Sequence, residues 1–265
     1  MAKYSLLGVS SREFIVQFLL LFLLFTWFQV SFISMNELLN ILSKSYIERV
    51  VVYAAYYLSY AIISISYSIL VTKNAKTYRP DLWVLFAIIS SSILLLFTIT
   101  EHKVCAFMHI SLAGVALGLG LPYCLSYFAD HTEVENRGRV GGVIFLLTSL
   151  FLPFFSSVHE LFNLSIFSVI SLLWLVGGFL LLSLFKPEKK DVEAKRDISF
   201  SYILTTKQFY LYFVAWFIFS FIDSLEVSIL RPFLQDVFGE SFKVFMLDLN
   251  ALIMAFSISI VGFLI

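Results

Sequence analysis

Charged residues are scarce in this chain. Asp, Glu, Lys and Arg make up 14% of its 265 residues and hydrophobic residues 60%, against about 25% and about 45–50% in soluble domains. A water-soluble globule of this size could not bury so much apolar surface, so the composition excludes a soluble enzyme and a disordered chain. The formal net charge of +0 offers no basic field to a nucleic acid. What remains is a protein that crosses a membrane several times.

Cysteines and catalytic motifs are scarce as well. The chain has two cysteines, Cys105 and Cys124, which are too few for a disulfide scaffold. It lacks the GxSxG, Walker, HExxH and CxxC patterns that mark common active sites and nucleotide or metal sites. We therefore predict that the protein is not an enzyme, carries no cofactor or metal, and has no nucleic-acid partner.

Eight apolar runs are long enough to cross a membrane as helices. A bilayer core about 30 Å thick needs about 20 apolar residues of helix. The runs are continuously apolar rather than alternating, which favours helices over barrel strands. The predicted fold class is an all-α polytopic membrane bundle within a lipid bilayer. The runs are 14–34, 50–71, 82–100, 104–128, 140–158, 164–185, 209–229 and 246–265.

Lys and Arg residues in the connections predict the orientation. Thirteen of the 18 fall at the N-terminus and in the loops after the second, fourth and sixth runs, and five fall on the other side. Because cytoplasmic loops carry the excess of basic residues, we predict a multi-pass protein of the cell membrane with a cytoplasmic N-terminus. The polar stretch KPEKKDVEAKRD predicts a cytoplasmic linker, 186–208, between a six-helix domain, 1–185, and two further helices, 209–265.

Three segments resemble the major facilitator superfamily of transporters. YFADHTEVENRGRVGG (127–142) resembles the junction between the fourth and fifth spans, and the linker 186–208 resembles the connection between the two halves. LRPFLQDVFGESFKV (230–244) resembles the outer loop that opens the second half, whereas TKNAKTYRPD (72–81) keeps the basic residues of the family's loop signature without its glycines. Family members have twelve spans, so the resemblance implies that the last four are missing here and that the chain is a fragment or a short form.

This resemblance implies a secondary active transporter that moves a small-molecule substrate by alternating access. A proton or another ion would supply the energy where transport is coupled. The resemblance also implies a cytoplasmic gate built from ion pairs, for which topogenic charge is the plain alternative; its residues are Asp130, Glu133, Arg137 and Arg139. A non-transporting truncated protein or scaffold of the same fold is the alternative function, and an intramembrane enzyme is a third hypothesis.

Asp223 and Glu226 are two acids inside the seventh run. They stand at i and i+3 and so share one helix face. A charge at the centre of a membrane helix costs about 2.5–3.5 kcal/mol on insertion scales, so such residues usually mark a pathway or a partner. We predict that both bind substrate or a coupling ion. The alternative is pairing with Arg231 or Lys243 at the outer edge of the membrane.

Tyrosines form a stripe along the second run. Tyr53, Tyr56, Tyr57 and Tyr60 follow the i, i+3, i+4, i+7 spacing of one helix face. A tyrosine hydroxyl in hydrocarbon needs a hydrogen-bond partner. We predict that Tyr56, Tyr57 and Tyr60 line a wet substrate cavity. The alternative is an interfacial aromatic belt with ordinary packing.

The fourth run is rich in glycine. Gly114 and Gly118 make a small-xxx-small pair, which lets two helix backbones approach closely. We predict helix packing for both, for Gly120 and for Pro122, which should also bend the helix. His109 is a further candidate for substrate binding or coupling, because histidine titrates near neutral pH. The alternative is a packed, hydrogen-bonded histidine.

Overall fold

The structure is a computed structural model, described for residues 9–42, 46–73 and 81–185 and for the single positions 187, 207, 210, 214, 233, 237 and 239. Within these residues the chain forms six α-helices and no strand, so the predicted all-α class is confirmed for this part. All six helices are long and apolar enough to cross a membrane. They are α1 (Ser11–Leu42), α2 (Tyr46–Lys73), α3 (Asp81–Thr100), α4 (Lys103–His131), α5 (Arg137–Leu161) and α6 (Leu164–Phe185), with a 3-10 turn, Val134–Asn136, before α5.

The first six predicted runs coincide with these helices, and the helix ends differ most at α1. The run predicted to end at residue 34 continues as helix to residue 42. The sixth run, 164–185, has the same bounds as α6. Apart from single positions, the runs 209–229 and 246–265 lie outside the described residues.

The helix ends carry local signals that explain where they lie. Ser10 and Glu13 form a capping box at the start of α1: the Ser10 amide donates to Glu13 Oε2 at 3.2 Å, and the Glu13 amide donates to Ser10 Oγ at 3.3 Å. At the start of α6, the Ile166 amide donates to Asn163 Oδ1 at 3.0 Å. Amide groups of a first helical turn have no partner within the helix, so these side chains fix the point of entry.

Helices α1 and α4 lie at the centre of the six-helix bundle (α1–α6). α1 packs against α4, α5 and α6, while α4 packs against α1, α2 and α3, and α3 also packs on α6. The bundle belongs to one of two compact units of the chain. Following the predicted orientation, we call the end at which α1 begins the inner end and the opposite end the outer end. At the inner end, Arg12 Nη2 donates to the Phe185 carbonyl at 3.1 Å and so joins α1 to the end of α6.

The contact between α2 and α4 is made at the level of the backbone. A Cβ added to Gly114 would lie 2.6 Å from the carbonyl oxygen of Tyr56, and one added to Gly118 would lie 2.7 Å from that of Tyr60. No side chain fits at such separations without moving a backbone. Gly114 and Gly118, two of the residues for which we predicted helix packing, therefore lie where the backbones of α4 and α2 come into contact.

Two further glycines make room for large side chains of the core. A Cβ on Gly120 would lie 2.8 Å from Leu24 Cδ1 and 3.1 Å from the Trp83 ring, and a Cβ on Gly178 would overlap Leu23. Pro122 lies within α4, which continues on both sides of it. The centre of the bundle is thus filled by bulky residues of α1 and α3 set against small residues of α4 and α6.

Candidate functional site

One side of α1 is accessible although this helix is central. Five accessible residues between positions 25 and 36 follow helical spacing and form what we call the α1 strip: Phe25, Phe28, Gln29, Phe32 and Asn36. Phe28 is 44% exposed, and the other four are partly buried. The opposite side of the same helix is closed by fully buried residues such as Leu20, Trp27 and Leu38. The strip therefore combines aromatic rings with two amide side chains on a side of α1 that the described helices cover only in part.

The α1 strip is joined to α5 through a hydrogen bond and through aromatic rings. Gln29 Nε2 donates to Ser156 Oγ of α5 at 3.4 Å. One helical turn toward the inner end, the rings of Phe25 and Phe145 meet with their centroids 4.8 Å apart. Both polar partners are partly buried, and each has hydrogen-bonding capacity beyond this one bond.

Glu37 lies near the outer end of α1, on the side that faces α5. Its Oε2 lies 3.7 Å from Nε2 of His159, and the two side chains keep 35% and 27% of their surface exposed. This distance forms an ion pair when the imidazole is protonated. A carboxylate and an imidazole thus stand together where the outer ends of α1 and α5 meet.

The α1 strip is joined to α2 through tyrosine hydroxyls. Tyr53 donates from its hydroxyl to Asn36 Oδ1 at 2.5 Å. One turn further along α2, the Tyr56 hydroxyl and Ser31 Oγ are 2.9 Å apart in the bundle interior. Every polar group in these contacts has a partner on the neighbouring helix, as buried polar groups in a membrane require.

The four tyrosines predicted as one stripe have different surroundings. Tyr56 is buried, with 1% of its surface exposed, while Tyr57 is 45% exposed and Tyr60 is partly buried. The rings of Tyr53 and Tyr57 stack with their centroids 6.5 Å apart. Tyr57 thus presents an accessible ring beside the α1 strip, whereas the hydroxyl of Tyr56 is engaged with α1.

His109 is enclosed between α3 and α4. Its Nδ1 lies 2.9 Å from the carbonyl oxygen of Ser90 and 3.0 Å from Ser90 Oγ, and that hydroxyl donates to the His109 carbonyl at 2.9 Å. The side chain is fully buried, and its Nε2 has no hydrogen-bond partner among the described residues. This geometry matches the alternative of a packed, hydrogen-bonded histidine, and it places His109 away from the α1 strip.

The residues predicted as a cytoplasmic gate lie at the inner ends of α4 and α5. Arg137 donates from Nη2 to the Ala129 carbonyl at 2.7 Å and from Nε to the Thr132 carbonyl at 3.2 Å. A cation at a helix C-terminus satisfies free carbonyls and favours the helix dipole. Arg137 therefore caps the C-terminus of α4.

The other three predicted gate residues surround this cap. Ser126 donates to Asp130 Oδ2 at 3.4 Å within α4, and Asn136 donates to Glu133 Oε2 at 3.2 Å across the turn before α5. Arg139 is exposed. The four residues are thus neighbours at one end of the bundle, and their action as a gate stays a prediction.

Asp223 and Glu226, the acids predicted to couple transport, lie outside the described residues. The structure instead draws attention to Gln29, Glu37 and His159, which the sequence analysis missed. Glu37 follows a run that was ended at residue 34, and His159 follows one ended at residue 158. The helical spacing of the α1 strip across residues 25–36 could have shown that α1 continues.

Comparisons with known proteins returned no matching family model, no matching curated protein and no matching solved structure. Within the described residues, no group of three or more His, Cys, Asp or Glu side chains could hold a metal ion. The interpretation of this protein therefore depends on its own residues and on the resemblance of its three sequence segments.

Proposed function

We propose that this protein is a secondary transporter of the major facilitator type, which moves a small solute across a membrane by alternating access. The observation that carries the proposal is the α1 strip, with its polar contacts to α5 and α2. Polar groups among membrane helices are costly, and they usually mark a path for a solute or an ion. A surface made for lipid alone would need no Gln29, Asn36 or Glu37.

The arrangement of the helices supports the same proposal. A helix at the centre of a bundle usually buries its whole circumference, whereas α1 leaves one side accessible between α2 and α5. The family resemblance implies that a solute meets the protein among its helices near the middle of the membrane. Gln29 lies 18 residues from the start of α1, which is about 27 Å along a helix axis, and so belongs to the outer half of this helix.

The alternative is a non-transporting membrane scaffold of the same fold. The backbone contact between α2 and α4 at Gly114 and Gly118 favours it, because such tight packing serves a static bundle equally well. A transporter moves a solute into sealed vesicles, whereas a scaffold does not, and uptake measurements distinguish the two.

Uptake into liposomes tests the proposal. We expect the full chain, reconstituted in oriented liposomes, to take up at least one solute from a panel of sugars, amino acids, organic cations and organic anions. An imposed pH gradient decides whether a proton is the coupling ion, and Asp223→Asn then tests the predicted coupling residue. Accumulation that equals that of protein-free liposomes for every solute, with correct insertion verified, would overturn the transporter and favour the scaffold.

Two serine variants supply a matched comparison for that assay. Ser156 bonds to Gln29 of the α1 strip, whereas Ser183 is exposed on α6 and donates to the Phe179 carbonyl of its own helix. We expect Ser156→Ala to lower uptake by about threefold to tenfold, the range for losing about one hydrogen bond of 0.6–1.4 kcal/mol. Ser183→Ala should leave uptake unchanged, and equal losses in the two variants would remove the α1 strip from the transport path.

A further inference from the structure

The two amides of the α1 strip each use one half of the group to hold a neighbouring helix. Gln29 donates from Nε2 to Ser156 of α5. Asn36 accepts at Oδ1 from the hydroxyl of Tyr53 of α2. Among the described residues, Gln29 Oε1 and Asn36 Nδ2 have no hydrogen-bond partner, and neither belongs to the buried unpaired side-chain atoms, so both remain accessible. The strip therefore offers an acceptor at Gln29 and a donor at Asn36.

These two amides lie on the same side of α1 and at different depths. Asn36 follows Gln29 by seven residues, which is nearly two full turns and about 10 Å along a helix axis. Asn36 is the nearer of the two to the outer end. A solute that uses both groups must therefore be elongated, with its own donor toward the inner end and its acceptor toward the outer end.

Aromatic rings lie beside and between the two amides. Phe32 comes three residues after Gln29 and four before Asn36. Its ring stacks with that of Phe28 at a centroid distance of 6.4 Å and an interplanar angle of 19°, and Phe28 is 44% exposed. Rings of nearly one orientation favour a flat apolar body, because aromatic groups prefer offset-stacked contacts. The five residues of the α1 strip include no charged side chain, so the strip itself offers an ion no counter-charge.

We propose that the α1 strip binds a neutral, flat and elongated solute, which donates a hydrogen bond to Gln29 Oε1, accepts one from Asn36 Nδ2 and lays its apolar middle against Phe32. This inference rests on the proposed function and names the substrate class of the same site. A lipid tail would cover the rings but leave both amide groups without partners, which is costly in a membrane. A solute with one polar end would satisfy one amide and leave the other unpaired.

Biphenyls of one shape test both ends of this solute. The first probe, para-acetyl-para′-hydroxybiphenyl, carries a carbonyl acceptor and a hydroxyl donor at opposite ends of two linked rings. Its methyl ether lacks the donor, and para-ethyl-para′-hydroxybiphenyl lacks the carbonyl. The full chain in lipid nanodiscs is titrated with each probe, and the uptake of empty nanodiscs is subtracted. We expect saturable binding of the first probe and weaker binding of the other two by about threefold to tenfold, the effect of losing one hydrogen bond.

A shorter probe tests the length of the solute. In para-hydroxyacetophenone the same donor and acceptor stand on one ring, so it reaches only one amide at a time and should bind at least about tenfold more weakly than the first probe. Equal binding of this short probe would overturn the proposal. Absence of saturable binding of the first probe, or equal affinity for all three biphenyls, would overturn it as well.

Variants of the two amides should each remove one preference and keep the other. In Gln29→Met the hydroxyl loses its acceptor, so the first probe and its methyl ether should bind equally, while acetyl stays preferred over ethyl. Asn36→Asp keeps the oxygen that accepts from Tyr53 but loses Nδ2, so acetyl and ethyl should bind equally, while hydroxyl stays preferred over methoxy. A purely structural role would weaken all probes alike, and that result would overturn the proposal.

Asn163→Asp is the matched control for Asn36→Asp. Asn163 also accepts through Oδ1, from the Ile166 amide at 3.0 Å, and it is exposed just before α6 at the outer end of the bundle. Aspartate keeps this helix cap and adds the same charge, so both probe preferences should remain. If this control lost the preference for acetyl as Asn36→Asp does, the added charge rather than the missing N–H group would be the cause, and the assignment to Asn36 would be wrong.

The outcome also separates this inference from the proposed function. Uptake of a solute by liposomes, without the two amide-dependent preferences in nanodiscs, overturns the solute class and leaves the transporter intact. Binding with both preferences, without movement of any solute into sealed liposomes, supports the site and overturns the transporter.

Discussion

Two helix contacts within the same bundle differ in kind. α2 and α4 meet through the backbone at Gly114 and Gly118, where not even a methyl group would fit. α1 and α5 meet through side chains, with Gln29 bonded to Ser156 and Glu37 beside His159, all partly accessible. A contact without space can only hold the bundle together. Where the polar side chains of a contact remain accessible, they can replace their hydrogen bonds to each other with hydrogen bonds to a solute. We therefore expect solute binding at the contact between α1 and α5.

The same contrast holds between the α1 strip and the accessible surface of α6. Exposed residues of α6 include Leu173, Leu180 and Leu184, which are aliphatic and suited to lipid tails. The α1 strip places amides beside its rings and is followed by a carboxylate. The α6 residues are 57–77% exposed, whereas in the α1 strip Phe28 is 44% exposed and the other four residues are partly buried. A candidate binding surface is thus distinguished from a lipid-facing one both by the chemistry of its side chains and by their partial enclosure.

Filling the contact between α2 and α4 should have the largest effect on stability. In Gly118→Leu the side chain would meet the Tyr60 carbonyl and Ile63, and we expect a loss of more than about 3 kcal/mol, at the upper end for overpacking of a helix interior. The folded fraction is measured by fluorescence-detected size exclusion and by thermal melting in detergent. Gly177→Leu is the control, since a Cβ at Gly177 meets nothing within 4 Å. Similar melting of the two variants would show that α2 and α4 do not need this contact.

Removing a buried polar contact at the inner end should have an intermediate effect. Gln17 of α1 is 1% exposed, donates to the His131 carbonyl at 3.2 Å and accepts from Thr132 Oγ1 at 3.1 Å. Gln17→Leu leaves the buried Thr132 hydroxyl without this partner, so we expect a loss of about 1–3 kcal/mol. Thermal melting measures it, and Thr132→Ser, which keeps the hydroxyl, is the control. A melting temperature unchanged from wild type in Gln17→Leu would contradict a structural role for this contact.

Removing the accessible polar contact at the outer half of α1 should have the smallest effect on stability. Gln29 is partly exposed, and its bond to Ser156 measures 3.4 Å. Interhelical hydrogen bonds in membranes average about 0.6 kcal/mol, so Gln29→Leu should melt within a few degrees of wild type. The same variant should lose uptake in the liposome assay. Destabilisation as large as that of Gln17→Leu, with normal uptake of solute, would make the α1–α5 contact as purely structural as the α2–α4 contact.

How closely the bounds of a helix could be predicted depended on the residues at its ends. α6 was predicted to the residue because Asn163 before it and Lys186 after it bound an unbroken apolar run. α1 was predicted eight residues too short, because Asn36 and Glu37 interrupt its apolar run. These polar residues remain in the helix because Tyr53 of α2 and His159 of α5 stand opposite them, which a one-dimensional pattern does not reveal.

The candidate site was less predictable than the helices. The tyrosine spacing on α2 indicated a helix face, yet the structure places Tyr56 against Ser31 in the interior and Tyr57 at the surface. His109 was a candidate by residue type alone, and it is enclosed by Ser90. A side chain's role depends on what faces it from other helices, and that information is absent from its own segment.

Composition alone made this chain a membrane protein built of helices, because hydrocarbon admits a backbone only when its hydrogen bonds are satisfied within each segment. Helical spacing also placed Gly114 and Gly118 of α4 on one face. Only the tertiary structure decided that this face meets α2, that one side of the central α1 stays accessible, and that Glu37 and His159 stand together. Those facts depend on which helices are neighbours, and neighbours are chosen by packing between segments far apart in sequence.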